Sequence, residues 1–307
     1  MKNIPFPLCS LMLAAASLGN LFRSDSLFLY RTLGGLALFL GILWLLRIVC
    51  HPKLFCQEMK NPVSASICGT FSMGVMVLSG YFVPLAGRAA LWIWLAGLLL
   101  HMALIIWFTV QFMTPPTSSQ VYASYFIVYV GIAAAAIPAS SLGLARAGAF
   151  ICFAAMIFFF PLLALVSFRY IKKGEPDDDA RKPLFAIYCA PASLCLTGYL
   201  SCVSEPSAAL VILFLFLSLG LYFMALFRMI AYLRLTWSFS FAAFTFPFII
   251  SASAVRKSLT FFEEPAAPLR LLSVFSHIQT AIACCLFLFV LIRFFIHILR
   301  SLFSAAS

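Results

Sequence analysis

The residues best suited to chemistry lie in one apolar stretch between Thr236 and Val255. It reads TWSFSFAAFTFPFIISASAV, in which six aromatic side chains and several hydroxyl groups surround Pro247. The stretch is long and apolar enough to cross a bilayer as a helix. A phenyl ring can block a narrow passage without carrying charge, because rotation about χ1 moves it between staggered rotamers. We therefore interpret the stretch as one wall of a pore that an aromatic ring closes.

Spacing within this stretch leaves two interpretations of its aromatic side chains open. If the helix is continuous, Trp237, Phe241, Phe244 and Phe248 share one face, because they follow a helical period. Such a face can line a pore. It can also pack against the preceding helix or against lipid, and spacing alone favours this packing role.

Elsewhere the residue patterns argue against an enzyme and against a bound metal or cofactor. The sequence has no Ser/His/Asp set, no His-x-x-x-His pair and no glycine-rich phosphate loop. Cys50, His51 and Cys56 lack the two-plus-two spacing of a zinc site. The acidic run 177–179 lies in a charged loop, where a solvated turn is expected. We expect His101, inside an apolar segment, to be packed between helices or subunits.

The composition identifies a polytopic membrane protein. Of the 307 residues, 64% are hydrophobic and 9% are charged, and the mean hydropathy is +1.09. A soluble protein carries roughly 25% charged residues, so this chain has too little polar surface to be soluble in water. The net charge of +11 comes from basic residues in short loops. We therefore expect the lipid bilayer, and no nucleic acid, as a partner.

Ten apolar segments come within a few residues of the length of about 20 that a membrane-spanning helix needs. They form a single transmembrane domain over residues 1–307, whose first segment is interpreted as a retained helix rather than a signal peptide. Most lysines and arginines fall on the inner side when the N-terminus is cytoplasmic, so both termini are predicted to be cytoplasmic, in a plasma membrane such as the bacterial inner membrane. The predicted segments are residues 5–22, 33–50, 63–83, 89–112, 120–142, 147–168, 184–203, 207–233, 237–255 and 271–303.

Odd-numbered and even-numbered segments differ in composition. The odd ones are rich in Gly, Ala, Ser and Pro, whereas the even ones are rich in Leu, Ile and Phe. Small residues allow close helix packing and bulky ones suit lipid, and the odd segments recur every ~55–60 residues, as repeated units do. We predict five helical hairpins whose inner helices surround a pore, with Gly131, Pro191 and Pro247 as candidate lining residues. A solid bundle is the alternative.

Several strings in these segments resemble the tellurite-resistance and dicarboxylate transporter family, which includes bacterial tellurite-resistance protein A and plant slow-type anion channels. The first segment reads PFPLCSLMLAAASLGNLF, the third begins KNPVSASICGTFSMG and the fifth contains YFIVYVGIAAAA. The most specific strings are IYCAPASLCLTGYLS in the seventh and WSFSFAAFTFP in the ninth. The resemblance implies ten helices in five hairpins with quasi-five-fold symmetry, a homotrimer with one pore per subunit, and the passage of small anions.

The same resemblance implies which ring closes the pore. In the family, a phenylalanine of the ninth helix plugs the passage within a Trp-x-Phe-Ser-Phe string, and the matching residue here is Phe241. Trp237, Phe244 and Phe248 are further lining candidates on its face. The first segment departs from relatives that have a glycine-rich start, because residues 8–13 are bulkier here.

Three functional hypotheses follow. The leading one is a channel-like, poorly selective pore for small anions, since no inner segment carries a central Lys or Arg to form a fixed ring of cations. The second is a secondary carrier of C4-dicarboxylates such as malate, or an oxyanion exporter linked to tellurite resistance. The inner segments lack the acid or His that proton coupling would use. The third is a membrane scaffold or enzyme with a solid bundle and no anion flux.

Overall fold

A computed structural model describes residues 3–114, 121–262 and 267–303, and within these ranges the chain is helical, with short connections and no strand. The expectation of an all-α protein is confirmed. Three 3-10 segments, Gly131–Ala135, Asp179–Cys189 and Phe239–Phe244, and a π-helical turn, Thr109–Met113, adjoin the α-helices. The α-helices are α1 (Leu8–Leu21), α2 (Leu27–Cys50), α3 (Pro52–Glu58), α4 (Pro62–Ala86), α5 (Ala89–Phe108), α6 (Tyr125–Tyr129), α7 (Ala136–Ala139), α8 (Ala145–Lys173), α9 (Ala190–Cys202), α10 (Ala208–Tyr232), α11 (Phe246–Phe262) and α12 (Ala267–Phe303).

Eight helical stretches of the described residues are long and apolar enough to cross a membrane. Two shorter apolar helices, Leu8–Leu21 and Gly131–Leu142, fall in the predicted segments 5–22 and 120–142, of which residue 120 lies outside the described ranges. The chain is therefore a multi-pass membrane protein.

Two helix boundaries differ from the predicted ones for local reasons. The second helix begins at Leu27 and not at residue 33, because the Ser26 hydroxyl caps it by accepting a hydrogen bond from the Leu29 N–H at 3.3 Å. The helix predicted to end at residue 168 continues to Lys173 and stops at Gly174. Gly174 has a φ of 71°, a left-handed conformation that glycine adopts readily.

Burial separates interior helices from peripheral ones. The stretches Asp179–Cys202, Phe239–Phe262 and Pro62–Ala86 are 89%, 83% and 67% buried, and α1 is buried at every position except Asn20. Five peripheral spans are only 22–33% buried and expose Leu, Ile and Phe side chains, as surfaces that face lipid do: Leu27–Cys50, Ala89–Met113, Ala145–Lys173, Ala208–Tyr232 and Arg270–Arg300. The segments with small residues thus form the interior.

The interior segments contact one another in a closed ring. Helix α1 contacts α4, and α4 contacts α6 and the 3-10 segment Gly131–Ala135. This 3-10 segment and α7 both contact α9. Helix α9 contacts α11, and α11 contacts α1, which closes the ring. The first and last interior segments are also joined by the Arg256 Nη1 group, which donates a 3.0 Å hydrogen bond to the carbonyl oxygen of Leu21. This ring positions every feature of the candidate site.

Two interior segments change helix type partway along. Asp179–Cys189 is a 3-10 helix that continues as α9, with Pro191 in the first turn of the α-helix. Phe239–Phe244 is also 3-10, and α11 begins after Thr245, whose φ of −96° and ψ of −88° leave helical geometry. Pro247 is the second residue of α11. A continuous helix over the predicted segment 237–255 would place Pro247 in its interior, and that placement is wrong: Pro247 lies in a first turn, where its missing N–H needs no partner.

Candidate functional site

A cavity of about 40 Å³ lies inside the ring of interior segments. Each of the five segments contributes to its wall, for example through Pro7, Thr70, Phe126, Pro191 and Phe246. The cavity holds only a few water molecules, because one water needs roughly 10–15 Å³ measured in the same way. The ring is therefore narrowed, though not completely filled, at this level.

The wall of this central cavity is uncharged and mostly apolar, with three hydroxyl groups among the described residues that line it. The Thr70 hydroxyl donates a hydrogen bond to the carbonyl oxygen of Ile67 at 2.8 Å, and the Ser10 hydroxyl lies 3.2 Å from the Thr70 hydroxyl. The Ser240 hydroxyl donates to the carbonyl oxygen of Ala180, which ties the 3-10 part of the ninth segment to the start of the seventh.

The predicted site residues divide into two groups. Pro191 and Pro247 line the central cavity. Phe241 is not among its lining residues and is 2% exposed. Its ring centroid lies 5.0 Å from that of Trp237, 5.1 Å from that of Phe244 and 6.5 Å from that of Phe289 in α12.

The remaining candidates also contact neighbouring helices. Trp237 meets Phe294 of α12 in an edge-to-face contact at 6.0 Å, and Phe248 meets Tyr222 of α10 at 5.4 Å. A Cβ atom added to Gly131 would lie 2.7 Å from the Met73 sulfur, so Gly131 lies against α4. The aromatic stripe thus makes its ring contacts with α10 and α12.

The sequence pattern did not single out Phe246, which lines the cavity together with Phe126 and Phe239. A continuous 3.6-residue period joins Phe241 to Phe244 and Phe248 on one face and leaves Phe246 off it. In the structure the 3-10 segment has about three residues per turn and Thr245 interrupts the helix, so that period does not persist past residue 244. The signal available in the sequence was Pro247, since a proline favours the start of a helix.

His101 is packed between helices, as expected. It is fully buried, with Nδ1 lying 2.7 Å from the Ser72 hydroxyl of α4 and Nε2 lying 3.0 Å from the carbonyl oxygen of Val128 in α6. Because a carbonyl oxygen only accepts, Nε2 carries the proton and Nδ1 accepts one from Ser72. The histidine thus joins the peripheral α5 to two interior segments.

A larger, water-accessible vestibule of about 700 Å³ opens at the end of the ring where α1, α9 and α11 terminate. Three basic side chains line it, those of Arg23, Arg256 and Lys257. Lys257 follows Phe246 by eleven residues, which places this lysine ~16 Å along α11 from the wall of the central cavity at 1.5 Å per residue. A hydrogen bond from Arg256 to Asp25 lowers the pKa of that carboxyl group, and the two form an ion pair.

A family model described as voltage-dependent anion channel matches residues 3–295, nearly the whole chain. Comparison with curated proteins gave no match. The matched family comprises channel-like membrane proteins that transport anions, and it is the tellurite-resistance and dicarboxylate transporter family that the sequence motifs predicted. The helical fold of the described residues, with a positive vestibule next to a small uncharged cavity, agrees with that assignment. The chain therefore belongs to the SLAC1 family of voltage-dependent anion channels.

Proposed function

We propose that this protein passes small anions along the axis of the ring formed by its five interior segments. One observation carries the proposal: residues of all five segments line the central cavity, and four of the segments continue to the positive vestibule. The proposed architecture is ten membrane-spanning helices, arranged as five hairpins with quasi-five-fold symmetry.

The proposed pore is channel-like and discriminates little among small anions. No charged side chain lines the central cavity among the described residues, so tight binding at a fixed cation is not available there. The hydroxyl groups of Ser10 and Thr70 make the wall weakly polar without adding charge, and both are hydrogen-bonded within the protein. Anions would be concentrated at the vestibule by its basic residues and would then cross the uncharged level without a deep energy minimum.

Three phenylalanines line the cavity, Phe126, Phe239 and Phe246. The Phe126 ring packs against Tyr188 and the Phe239 ring against Phe294 of α12. We therefore propose that the ring of Phe246 closes this pathway. Its ring lines the cavity and is 6% exposed, so a rotamer change would alter the width of the passage directly. Phe241, the residue implied by family resemblance, lies behind the wall against Trp237 and Phe289. Movement of Phe241 would therefore act through the 3-10 segment that carries both it and the wall residues Ala242 and Ala243.

A reconstitution experiment tests the pore and its gate together. The full chain is placed in liposomes, and chloride and nitrate flux is measured for the wild type and for Phe246→Ala, Phe241→Ala and Phe248→Ala. We expect Phe246→Ala to raise flux at least several-fold. Phe248→Ala is the matched control, because Phe248 is buried against Tyr222 and does not line the cavity.

The outcomes separate the hypotheses. Increased flux in Phe241→Ala alone would reject Phe246 as the gate and support the residue implied by resemblance. Saturable malate exchange without current in any variant would replace the channel with a dicarboxylate carrier. Absence of flux from every variant would reject anion conduction. Truncation of a buried Phe costs about 3–5 kcal/mol in each case, so thermal unfolding of the purified variants checks that differences in flux do not come from misfolding.

The cellular setting completes the proposal. Both termini are proposed to be cytoplasmic in a plasma membrane, and the subunits are proposed to form a homotrimer with one pore each. The excess of basic residues on the side of the termini supports this orientation. Cysteine labelling from either side of the membrane and mass measurement of the purified oligomer test the two points.

A further inference from the structure

The vestibule contains two hydroxyl groups with no hydrogen-bond partner. Ser17 in α1 and Thr197 in α9 line it and are only 4% and 2% exposed. Neither Ser17 Oγ nor Thr197 Oγ1 has a partner in the part of the chain that the structure describes. A buried hydroxyl without a partner is costly. These two groups are therefore unsatisfied donors in the wall of the vestibule.

Other hydroxyl groups of the same wall differ in this respect. Ser253 donates to the carbonyl oxygen of Ile249 at 3.0 Å, and Thr260 donates to that of Arg256 at 3.2 Å. These bonds to the preceding helical turn are what a membrane helix usually offers its serines and threonines. The unpaired state of Ser17 and Thr197 is thus particular to their position in the vestibule.

The basic side chains of the vestibule are only partly neutralised. Asp25 pairs with Arg256, whose guanidinium also donates to Leu21, so this arginine is held in place. Arg23 lies over the ring of Tyr30 at 5.4 Å. Lys257 has no carboxylate partner among the described residues, which exclude Glu263 and Glu264. Arg23 and Lys257 therefore contribute positive charge to the same vestibule whose wall holds the two unpaired hydroxyl groups.

The walls of the vestibule indicate that its occupant comes from water. All of its described lining residues belong to α1, α7, α9, α11 and the adjoining loops, and none to the lipid-facing helices α2, α5, α8, α10 or α12. A phospholipid headgroup would need an opening toward the bilayer between those outer helices. A small hydrated anion needs only the open end of the ring.

We propose that the vestibule is a binding site for a small inorganic anion of the chloride or nitrate class. Lys257 and Arg23 supply its charge, and the hydroxyl groups of Ser17 and Thr197 donate to it. Arg256, fixed by Asp25, supports the site from the wall. The anion site is inferred from the residues that line the vestibule. Its role in supplying anions to the pore rests on the proposed function.

Chloride NMR of the purified full chain in neutral detergent tests the site without measuring transport. Bound chloride exchanging with bulk broadens the quadrupolar chloride signal, and nitrate that competes for the site narrows it again. We expect Lys257→Gln and Thr197→Val each to weaken chloride binding about tenfold, as loss of one charge-assisted interaction does, and Lys257→Arg to retain it. Arg146→Gln is the matched control, because it removes an exposed basic side chain that does not line the vestibule.

Two results would overturn the anion site. Equal loss of broadening in Lys257→Gln and Arg146→Gln, with no change in Thr197→Val, would mean a diffuse surface charge. Broadening that is abolished by anionic phospholipid but not by nitrate would assign the vestibule to a lipid headgroup. If the wild type binds chloride at the vestibule but shows no anion flux, the proposed pore is rejected and the anion site is retained. If the wild type shows anion flux but no site-specific broadening, the anion site is rejected and the proposed pore is retained.

Discussion

Tyr81 provides a sharp test of how the interior helices are joined. Its ring is 8% exposed and stacks on Tyr30 of α2 with centroids 4.1 Å apart, and its hydroxyl donates a 2.6 Å hydrogen bond to the carbonyl oxygen of Ala16 in α1. A Cβ atom on Gly34 would lie 2.5 Å from the Tyr81 ring, whereas one on the next residue, Gly35, would meet nothing within 4 Å. We predict that Gly34→Ala destabilises the protein and that Gly35→Ala does not.

The size of the effect follows from what Tyr81 would lose. Moving the ring costs about 1–3 kcal/mol for overpacking, about 1 kcal/mol for the hydrogen bond to Ala16 and about 1 kcal/mol for the stack on Tyr30, or about 3–5 kcal/mol in all. Gly35→Ala should instead raise the free energy of unfolding by at most about 1 kcal/mol, because alanine has a higher helix propensity than glycine. Thermal unfolding of the two purified variants in detergent measures the difference.

A second substitution identifies the cause. If the clash with the ring is responsible, Tyr81→Leu combined with Gly34→Ala should lose less stability than the sum of the two single changes, since the smaller side chain makes room. Equal stability of Gly34→Ala and Gly35→Ala would refute the packing of α4 against α1 and α2 described above. Strict additivity in the double variant would refute the steric explanation.

Three further predictions concern other contacts. Gly97→Ala should separate α5 from α4 and lower the unfolding temperature strongly, because its Cβ would lie 2.9 Å from a backbone nitrogen of α4 that cannot rotate away. Ser72→Ala should cost about 1–3 kcal/mol in chemical unfolding, since Nδ1 of the buried His101 loses its donor, and Ser72→Thr should retain most of it. Asp25→Asn should cost at most about 1 kcal/mol at neutral pH, because the pair with Arg256 is partly exposed. Because the pKa of Asp25 is lowered, the stabilisation by the ion pair is complete above pH 3.8, the ordinary pKa of the group, and disappears as the pH falls further. The stabilities of the wild type and Asp25→Asn should therefore converge in acid.

Residue size along the chain was enough to predict the interior and the periphery of the fold. Runs of Gly, Ala, Ser and Pro mark segments that can approach one another, and runs of Leu and Phe mark lipid-facing ones, so burial follows composition. The family was likewise accessible, because its motifs lie in these packed segments. Pro191 was selected for the same reason and lines the cavity.

The orientation of individual aromatic side chains could not be predicted from the sequence, because it depends on whether the helix is α or 3-10. A continuous α-helix was assumed across residues 237–255, and it groups Phe241 with Phe248. The structure has a 3-10 helix up to Phe244 and a break at Thr245, so Phe246 lines the cavity. The vestibule was missed for a different reason: Arg23 and Lys257 are far apart in the chain and were counted only as loop charges.

Closure of the ring has a consequence for the biogenesis of the protein. The hydrogen bond from Arg256 to Leu21 joins residues 235 positions apart, and α1 packs against α11. As the chain is made, α1 leaves the ribosome well before α11, its final neighbour. Until then one side of α1 must be covered by lipid, by the insertion machinery or by an incorrect partner. Proteins truncated before α11 would therefore insert their early helices and still have no enclosed axis, and the folding step that closes the ring must follow synthesis of nearly the whole chain.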